Sequence, residues 1–391
     1  MISFTQKLKT LCLLLITSWS LGAVDTIPKP YYQISLLTIA PGSEIYSLFG
    51  HTAIRVKDLK SEEDITYNYG TFDFRTPNFM VKFLRGKLLY QLSKAPFYAF
   101  MYEYNEIKRS VVEQVLDITQ EEATEIYSFL ENNALPENKD YLYDFLYDNC
   151  TTRARDIFNN HLKMSIDDED VVNKTFRQML HEYLTPYPWT KFGIDLIVAS
   201  RADKKTDAQT QMFLPDYLET QMAKATQDSV ENKRFIFMPS RQLIYFDKAD
   251  SSLHMFTPFN IFLGLALLLI LLYFTKFKAA AYSVMTLLFV ILGIGSMVLA
   301  FMWFATDHYT TKINYNLLWM SPLYLLLPFL PKKSNIIVSG LLIFITLLCV
   351  TPWLPQVMPV KSILSLVLTI LGLNIYFQLV DREEERVFIE E

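Results

Sequence analysis

Asp148-Asn149-Cys150-Thr151-Thr152-Arg153 is the stretch that decides how this chain is read. Asp148 or Asn149 suits a helix N-cap, because a short polar side chain accepts hydrogen bonds from first-turn N–H groups that have no partner inside the helix. The spacing predicts a helix from Cys150 towards His161, opening on a thiol. Amides at a helix start direct partial positive charge at that sulfur and favour thiolate over thiol, which makes Cys150 a candidate nucleophile. The chain has three cysteines, and Cys12 and Cys349 lie in apolar runs, so Cys150 has no evident disulfide partner. A free cysteine is equally often a small buried hydrophobe, and its surroundings must decide.

The 391 residues are unevenly apolar: mixed and charged to about Ser252, then mostly hydrophobic. A net charge of -5 without a basic tract argues against nucleic acid as a partner. Residues 1–23 read as a signal peptide, with Lys7 and Lys9, an apolar core over Leu11 to Ile16, and small residues Ser20, Gly22 and Ala23 where a peptidase can cut. A retained amino-terminal anchor is the rival reading. Residues 24–255 then form an exported domain and residues 256–391 a membrane domain.

Tyr31 to Ala40 is β-prone, and the run from His51 to Val56 alternates as a strand, with His51, Ala53 and Arg55 on one face. Gly50 removes a side chain just before His51, which lets another backbone or a substrate come close. Further strands are expected at Ile65 to Tyr69, Leu88 to Leu92 and Arg109 to Ile118. Thr119-Gln120-Glu121-Glu122 fits a capping box for a helix to about Asn132. Asn173 is placed to cap a helix to about Tyr183, Lys191 to Ser200 and Met212 to Ala225 look helical, and Arg234 to Met238 with Gln242 to Phe246 reads as a hairpin.

Apolar runs near 259–275, 280–304, 315–330, 335–354 and 362–380 approach the roughly 20 helical residues that cross a hydrocarbon core. The third is short and carries Pro322 and Pro328. Lys276, Lys278, Lys332 and Lys333 put their connections inside by the positive-inside rule, so loops 305–314 and 355–361 face outward. Export of the first domain and loop charge thus give one topology: five spans and an acidic cytoplasmic tail.

A thiol nucleophile needs a base, and the histidines stand at 51, 161, 181, 254 and 308. His161, on the helix that Cys150 begins, lies roughly 16 Å away at 1.5 Å rise per residue and cannot reach. His181 reads as a surface or packing residue, whereas His51 at a strand start beside Gly50 is the best placed. The lack of paired Cys/His spacing argues against a metal site. Arg153, one turn from Cys150, is a candidate phosphate contact or an ordinary ion-pairing residue. Asn149, beside the nucleophile, and His308, in an outer loop at the membrane edge, are the other candidate substrate contacts.

Gly50-His51-Thr52-Ala53-Ile54, followed about a hundred residues later by Asp148-Asn149-Cys150-Thr151, resembles the circularly permuted branch of the NlpC/P60 papain-like superfamily, to which lecithin:retinol acyltransferase belongs. The fuller pattern adds Tyr67-Asn68-Tyr69-Gly70, Phe192-Gly193-Ile194-Asp195 and Met212-Phe213-Leu214-Pro215-Asp216-Tyr217, and resembles the Bacteroidetes Lnb family of lipoprotein N-acyltransferases. The resemblance implies an α+β, permuted papain-like periplasmic domain followed by an all-α transmembrane domain in the bacterial inner membrane. It makes Cys150 and His51 the catalytic pair. No second histidine follows on the next strand, where retinol acyltransferases have one, and Asn68 is the substitute for the third, orienting residue. The implied reaction moves an acyl chain from a phospholipid to the α-amine of diacylated lipoproteins without a cofactor. A thiol amidase or peptidase acting on cell-wall peptide, and a non-enzymatic membrane receptor, are the competing readings.

Overall fold

A computed structural model describes residues 31–166, 171–228, 233–247 and 255–381. The expected signal peptide with Cys12, His254 and the acidic tail lie outside the described residues. The alternating stretches build a seven-stranded antiparallel sheet from β1 (Tyr32–Ile39), β2 (His51–Asp58), β3 (Asp64–Thr71), β4 (Leu89–Pro96), β5 (Val111–Val115), β6 (Asp140–Leu142) and β10 (Arg241–Ile244). Its order is β10-β5-β1-β2-β3-β4-β6. Short helix α1 (Phe79–Leu84) lies between β3 and β4, and α2 (Phe97–Glu106) follows β4.

Period-two alternation sends successive side chains to opposite faces, and both faces are covered. On one, Ile34, Leu36, Ile54, Val56 and Tyr67 pack against α3 (Gln120–Asn133) and α4 (Cys150–His161). On the other, Leu37, Ile39, Ala53 and Val111 meet Phe100 and Tyr104 of α2. The Thr119 capping box forms, its hydroxyl accepting from the Glu122 N–H.

Two local expectations change. The helix expected after Asn173 is capped instead by Thr175, whose hydroxyl accepts from the Gln178 N–H and opens α5 (Phe176–Leu184). The expected hairpin at residues 234–246 does not form. Its first half is β9 (Lys233–Phe235), which pairs with β8 (Thr226–Asp228) in a small sheet beside β7 (Met164–Ser165), while β10 goes to the edge of the main sheet against β5. Pairing with sequence-distant strands outweighed the local turn signal, as β propensity is set by neighbours. Helices α6 (Pro188–Ile197) and α7 (Pro215–Met222) complete this half, each with proline in the first turn, where its missing N–H costs nothing.

Beyond residue 255 the described chain is α8 (Pro258–Tyr273), α9 (Lys278–Phe304), α10 (Asn316–Trp319), α11 (Lys332–Val350) and α12 (Val360–Tyr376). Three stretches, Lys278–Phe304, Lys332–Val350 and Val360–Val380, are long and apolar enough to cross a membrane; α8 is equally apolar but has 16 residues. Residues 315–330 do not make one helix. Pro322 and Pro328 lack the N–H a continuing helix needs, and α10 gives way to 3-10 turns at Pro322–Leu325 and Leu327–Phe329. The Leu327 carbonyl, which takes the Leu330 N–H only at 3.4 Å, also accepts from the Asn335 side chain at 2.6 Å, and Asn374 donates to Asn335 at 2.6 Å and to Ser339 at 2.9 Å. Such internal satisfaction is what irregular backbone at membrane depth requires.

The two halves are clasped together. Asn314 donates to Leu196 O at 2.7 Å, Asn316 to Asp195 O at 2.9 Å, and Trp189 to Phe256 O at 2.7 Å. Buried Arg177 organises the end of α6 that is held: it pairs with Asp195 at 2.8 Å and Asp203 at 3.0 Å and donates to Val198 O. Burial pushes the Asp195 carboxyl up, but His181, Arg177 and Lys191 around it bring it down to about 2.

Candidate active site

Helix α4 starts where its sequence predicts. The Asn149 carboxamide oxygen accepts from Thr151 N–H at 2.8 Å and Thr152 N–H at 2.9 Å, and the Thr152 hydroxyl accepts in return from Asn149 N–H at 2.8 Å. The Asn149 NH2 group donates to Phe145 O at 2.8 Å and Phe213 O at 3.0 Å. Every polar atom of this buried side chain is therefore engaged in holding the helix start. Asn149, expected as a substrate contact, thus has a structural role beside the nucleophile. Its cap does not take the N–H of Cys150 itself, which remains a first-turn donor at the sulfur.

Strand register supplies the second group. His51 opens β2 opposite Ile39 of β1, and Gly50 before it, at φ +80°, has space for no Cβ because Ile39 O would lie 2.9 Å away. On the other side of β2, Asn68 of β3 puts its Oδ1 2.5 Å from His51 Nε2. The ring therefore carries its proton on Nε2 when neutral, and the Cys150 thiol lies close enough to His51 for each to shift the titration of the other. Thr52 and Thr151 join the two elements below, hydroxyl to hydroxyl at 3.1 Å.

This pairing sets the electrostatics. Burial pushes the Cys150 thiol up, but the adjacent imidazole, its hydrogen bond, the Thr52 backbone and the Thr151 hydroxyl outweigh it and lower the thiol from 9.0 to about 7. For His51, burial works downward, while the Cys150 sulfur and the Asn68 oxygen work upward and prevail. Each partner thus favours the charged form of the other.

Gly70, from the Tyr67–Gly70 pattern, and two groups that local sequence did not single out surround the pair. Gly70, at φ +87°, lies against the sulfur side chain, a Cβ there standing 3.6 Å from Cys150 Cβ. Tyr141, in β6, brings its hydroxyl within 3.9 Å of the same point, and that buried hydroxyl has no hydrogen-bond partner. Burial pushes its phenol up, so it stays a protonated donor. Arg109, buried and stacked 5.3 Å from the Tyr104 ring, donates to Ala40 O at 2.7 Å, leaves one guanidinium nitrogen unpartnered, and lies close enough to oppose protonation of His51. The sequence shows these only as one aromatic among many and one arginine among many.

A model of the Lnb N-terminal periplasmic domain matches residues 25–182, and one of the Lnb transmembrane domain matches residues 248–383. The chain belongs to the Lnb family. It is a membrane protein with a periplasmic amino-terminal domain. No curated protein and no solved structure matches it.

The remaining candidates of this Lnb chain are scattered. Arg153 is held bidentately by Asp148, at 2.6 and 2.9 Å, and lies 3.5 Å over the Tyr141 ring, so its first job is to fix that ring beside Cys150. His308 does not join the pair; its Nε2 meets Phe83 O at 2.9 Å, on the wall of a cavity of about 220 Å³ between the two halves. His161 packs against Phe129 and His181 pairs with Asp195, both away from the thiol. Cys349 is buried within α11.

Proposed function

We propose that this chain is a lipoprotein N-acyltransferase that carries an acyl group on Cys150, within a permuted papain-like domain. The observation that supports it is the Cys150, His51 and Asn68 array, with the thiol lowered to about 7 beside a cavity at the membrane domain. Cys150 thiolate attacks the ester carbonyl of a phospholipid. Cys150 N–H and the unpartnered Tyr141 hydroxyl are the donors for the oxyanion that forms. Collapse breaks the C–O bond, and the imidazolium of His51 gives its proton to the departing glycerol oxygen, leaving a thioester and a lysophospholipid.

The α-amine of a diacylglyceryl-cysteine then attacks the thioester. His51 removes the amine proton, and the thiolate leaves as the amide forms. Ester is exchanged for amide, a downhill transfer that consumes no nucleotide and needs no cofactor. Both substrates are held in the outer leaflet by their own chains, so a tethered thiol in the inner membrane meets them at high effective concentration. A wall-peptide amidase would use the same thiol and base, but it would have no need of a cavity at the membrane edge.

The test is mass spectrometry of lipoprotein amino-terminal peptides from a strain whose chromosomal copy carries Cys150→Ala. Diacylated peptides with a free α-amine are expected, with the variant still in the membrane; persistence of triacylated peptides would remove Cys150 from the mechanism.

A further inference from the structure

The segment between β3 and β4, residues 72–88, gathers several exposed apolar side chains close to the membrane domain. It displays Phe74, 73% exposed, Met80, 62%, and Leu84, 54%, with Val81 and Phe83 also exposed. Large apolar side chains gathered on so short a segment mark an interaction surface. Lys82 and the exposed Arg85 and Lys87 flank them.

Its position identifies the partner. Asp307 N–H donates to Arg85 O at 2.9 Å, His308 Nε2 meets Phe83 O at 2.9 Å, and Lys87 faces Asp307 at 3.7 Å. A Cβ on Gly86, at φ +68°, would come within 2.8 Å of the His308 N, so the two backbones touch. Residues 307 and 308 follow directly on α9, whose outward face of Met297, Val298, Phe301 and Phe304 is exposed and suited to hydrocarbon. The apolar side chains of residues 74–84 therefore continue a lipid-facing surface at its periplasmic end. Aromatic and long apolar groups edged by cations suit the headgroup boundary of a bilayer.

The same segment walls the cavity of about 220 Å³, through Phe83, Gly86 and Leu88 on one side and His308 and Thr310 on the other. Its inner end is Tyr143, stacked on Tyr90 with ring centroids 4.5 Å apart. Tyr143 Cε2 lies 3.8 Å from the point beside Gly70 that is 3.6 Å from Cys150 Cβ. One ring separates this cavity from the thiol.

We propose that residues 72–88 are a membrane seat, immersed in the outer-leaflet interface, and that the cavity beneath them is the way a lipid acyl chain reaches Cys150. The second half rests on the acyltransferase reading; the first does not. The full chain is reconstituted in phosphatidylethanolamine/phosphatidylglycerol vesicles, with Cys150→Ala and a nitroxide on Met80→Cys or, as the aqueous control, on Glu121→Cys in α3. Power saturation should show the label at position 80 favouring oxygen over a water-soluble nickel chelate, and the reverse at position 121. Equal nickel access at both positions overturns the seat.

With Cys150 intact, Met80→Asp combined with Val81→Asp should slow acylation of Cys150 by vesicle phospholipid about tenfold or more, while a water-soluble short-chain p-nitrophenyl ester acylates it at the original rate. Undiminished acylation by vesicle lipid overturns the route. Loss of the soluble-ester reaction too would mark a misfolded variant, and the milder Met80→Gln with Val81→Gln then decides by the same two rates. A wild-type chain that vesicle lipid never acylates, with position 80 still in lipid, would refute the acyltransferase reading and leave the seat standing.

Discussion

Replacing His51 by alanine tests the electrostatic core of the site in a way that can be worked numerically. With the thiol at about 7, half of Cys150 is thiolate at neutral pH. Without the imidazole, burial and weak donors are left, and the thiol returns to its ordinary 9.0 or above. The thiolate fraction at pH 7 then falls to about one in a hundred, a roughly fiftyfold loss. Basicity offsets part of it: with a Brønsted slope of about 0.45, two pKa units make each thiolate about eightfold more nucleophilic. Alkylation of His51→Ala by iodoacetamide should therefore be about sixfold slower than wild type at pH 7, match it near pH 8, and exceed it about eightfold by pH 10. The assay follows the carbamidomethylated Cys150 peptide by mass spectrometry over pH 5 to 10 on the solubilised full chain. Rate curves that coincide for the two proteins at every pH would show that His51 does not set the state of the thiol.

Three further outcomes follow from neighbouring atoms. Asn68→Ala frees the imidazole to rotate and should lower the acylation rate about a hundredfold, while Asn68→Asp, which keeps an acceptor for Nε2, recovers part of it. Tyr141→Phe removes one oxyanion donor and should cut the acylation rate constant about a hundredfold, with iodoacetamide reactivity unchanged, because alkylation forms no oxyanion; equal loss in both would assign Tyr141 a packing role. Asn149→Ala strips the α4 cap and strands the Phe145 and Phe213 carbonyls, so thermal unfolding should report a loss of about 2 kcal/mol or more.

What the sequence made legible was local. The cap and start of α4 depend on residues 149–152, all within one turn, and the strand from His51 declares itself by alternation. Asn68 came from the family resemblance, as the substitute for an absent second histidine, and β2–β3 pairing sets it against the ring. Tyr141 was not legible, because Tyr141 to Tyr147 offers several aromatics and only the short β4–β6 pairing selects the one whose hydroxyl faces Gly70 beside Cys150. Arg109 and Arg177 were equally silent, since each is placed by contacts with residues far away in the chain. The four hydrogen bonds of the Asn149 side chain could not be read from its place beside the nucleophile, because the Phe213 carbonyl it meets is far away in the chain. His308 was expected at the membrane edge on the strength of its loop, and its contact with the β3–β4 segment could not be read from that loop.

The clasp between the halves has a consequence for how freely such a chain can drift. Asn314 and Asn316 grip main-chain carbonyls of residues 195–197, and Ala199 N–H bonds the Thr310 carbonyl. A joint made to peptide groups is blind to what is written at Leu196 and Ile197, so substitutions there leave the grip intact, whereas both asparagines are irreplaceable by residues that cannot donate. Such a joint lets the surface of the periplasmic half change in sequence while its seat on the membrane domain is kept.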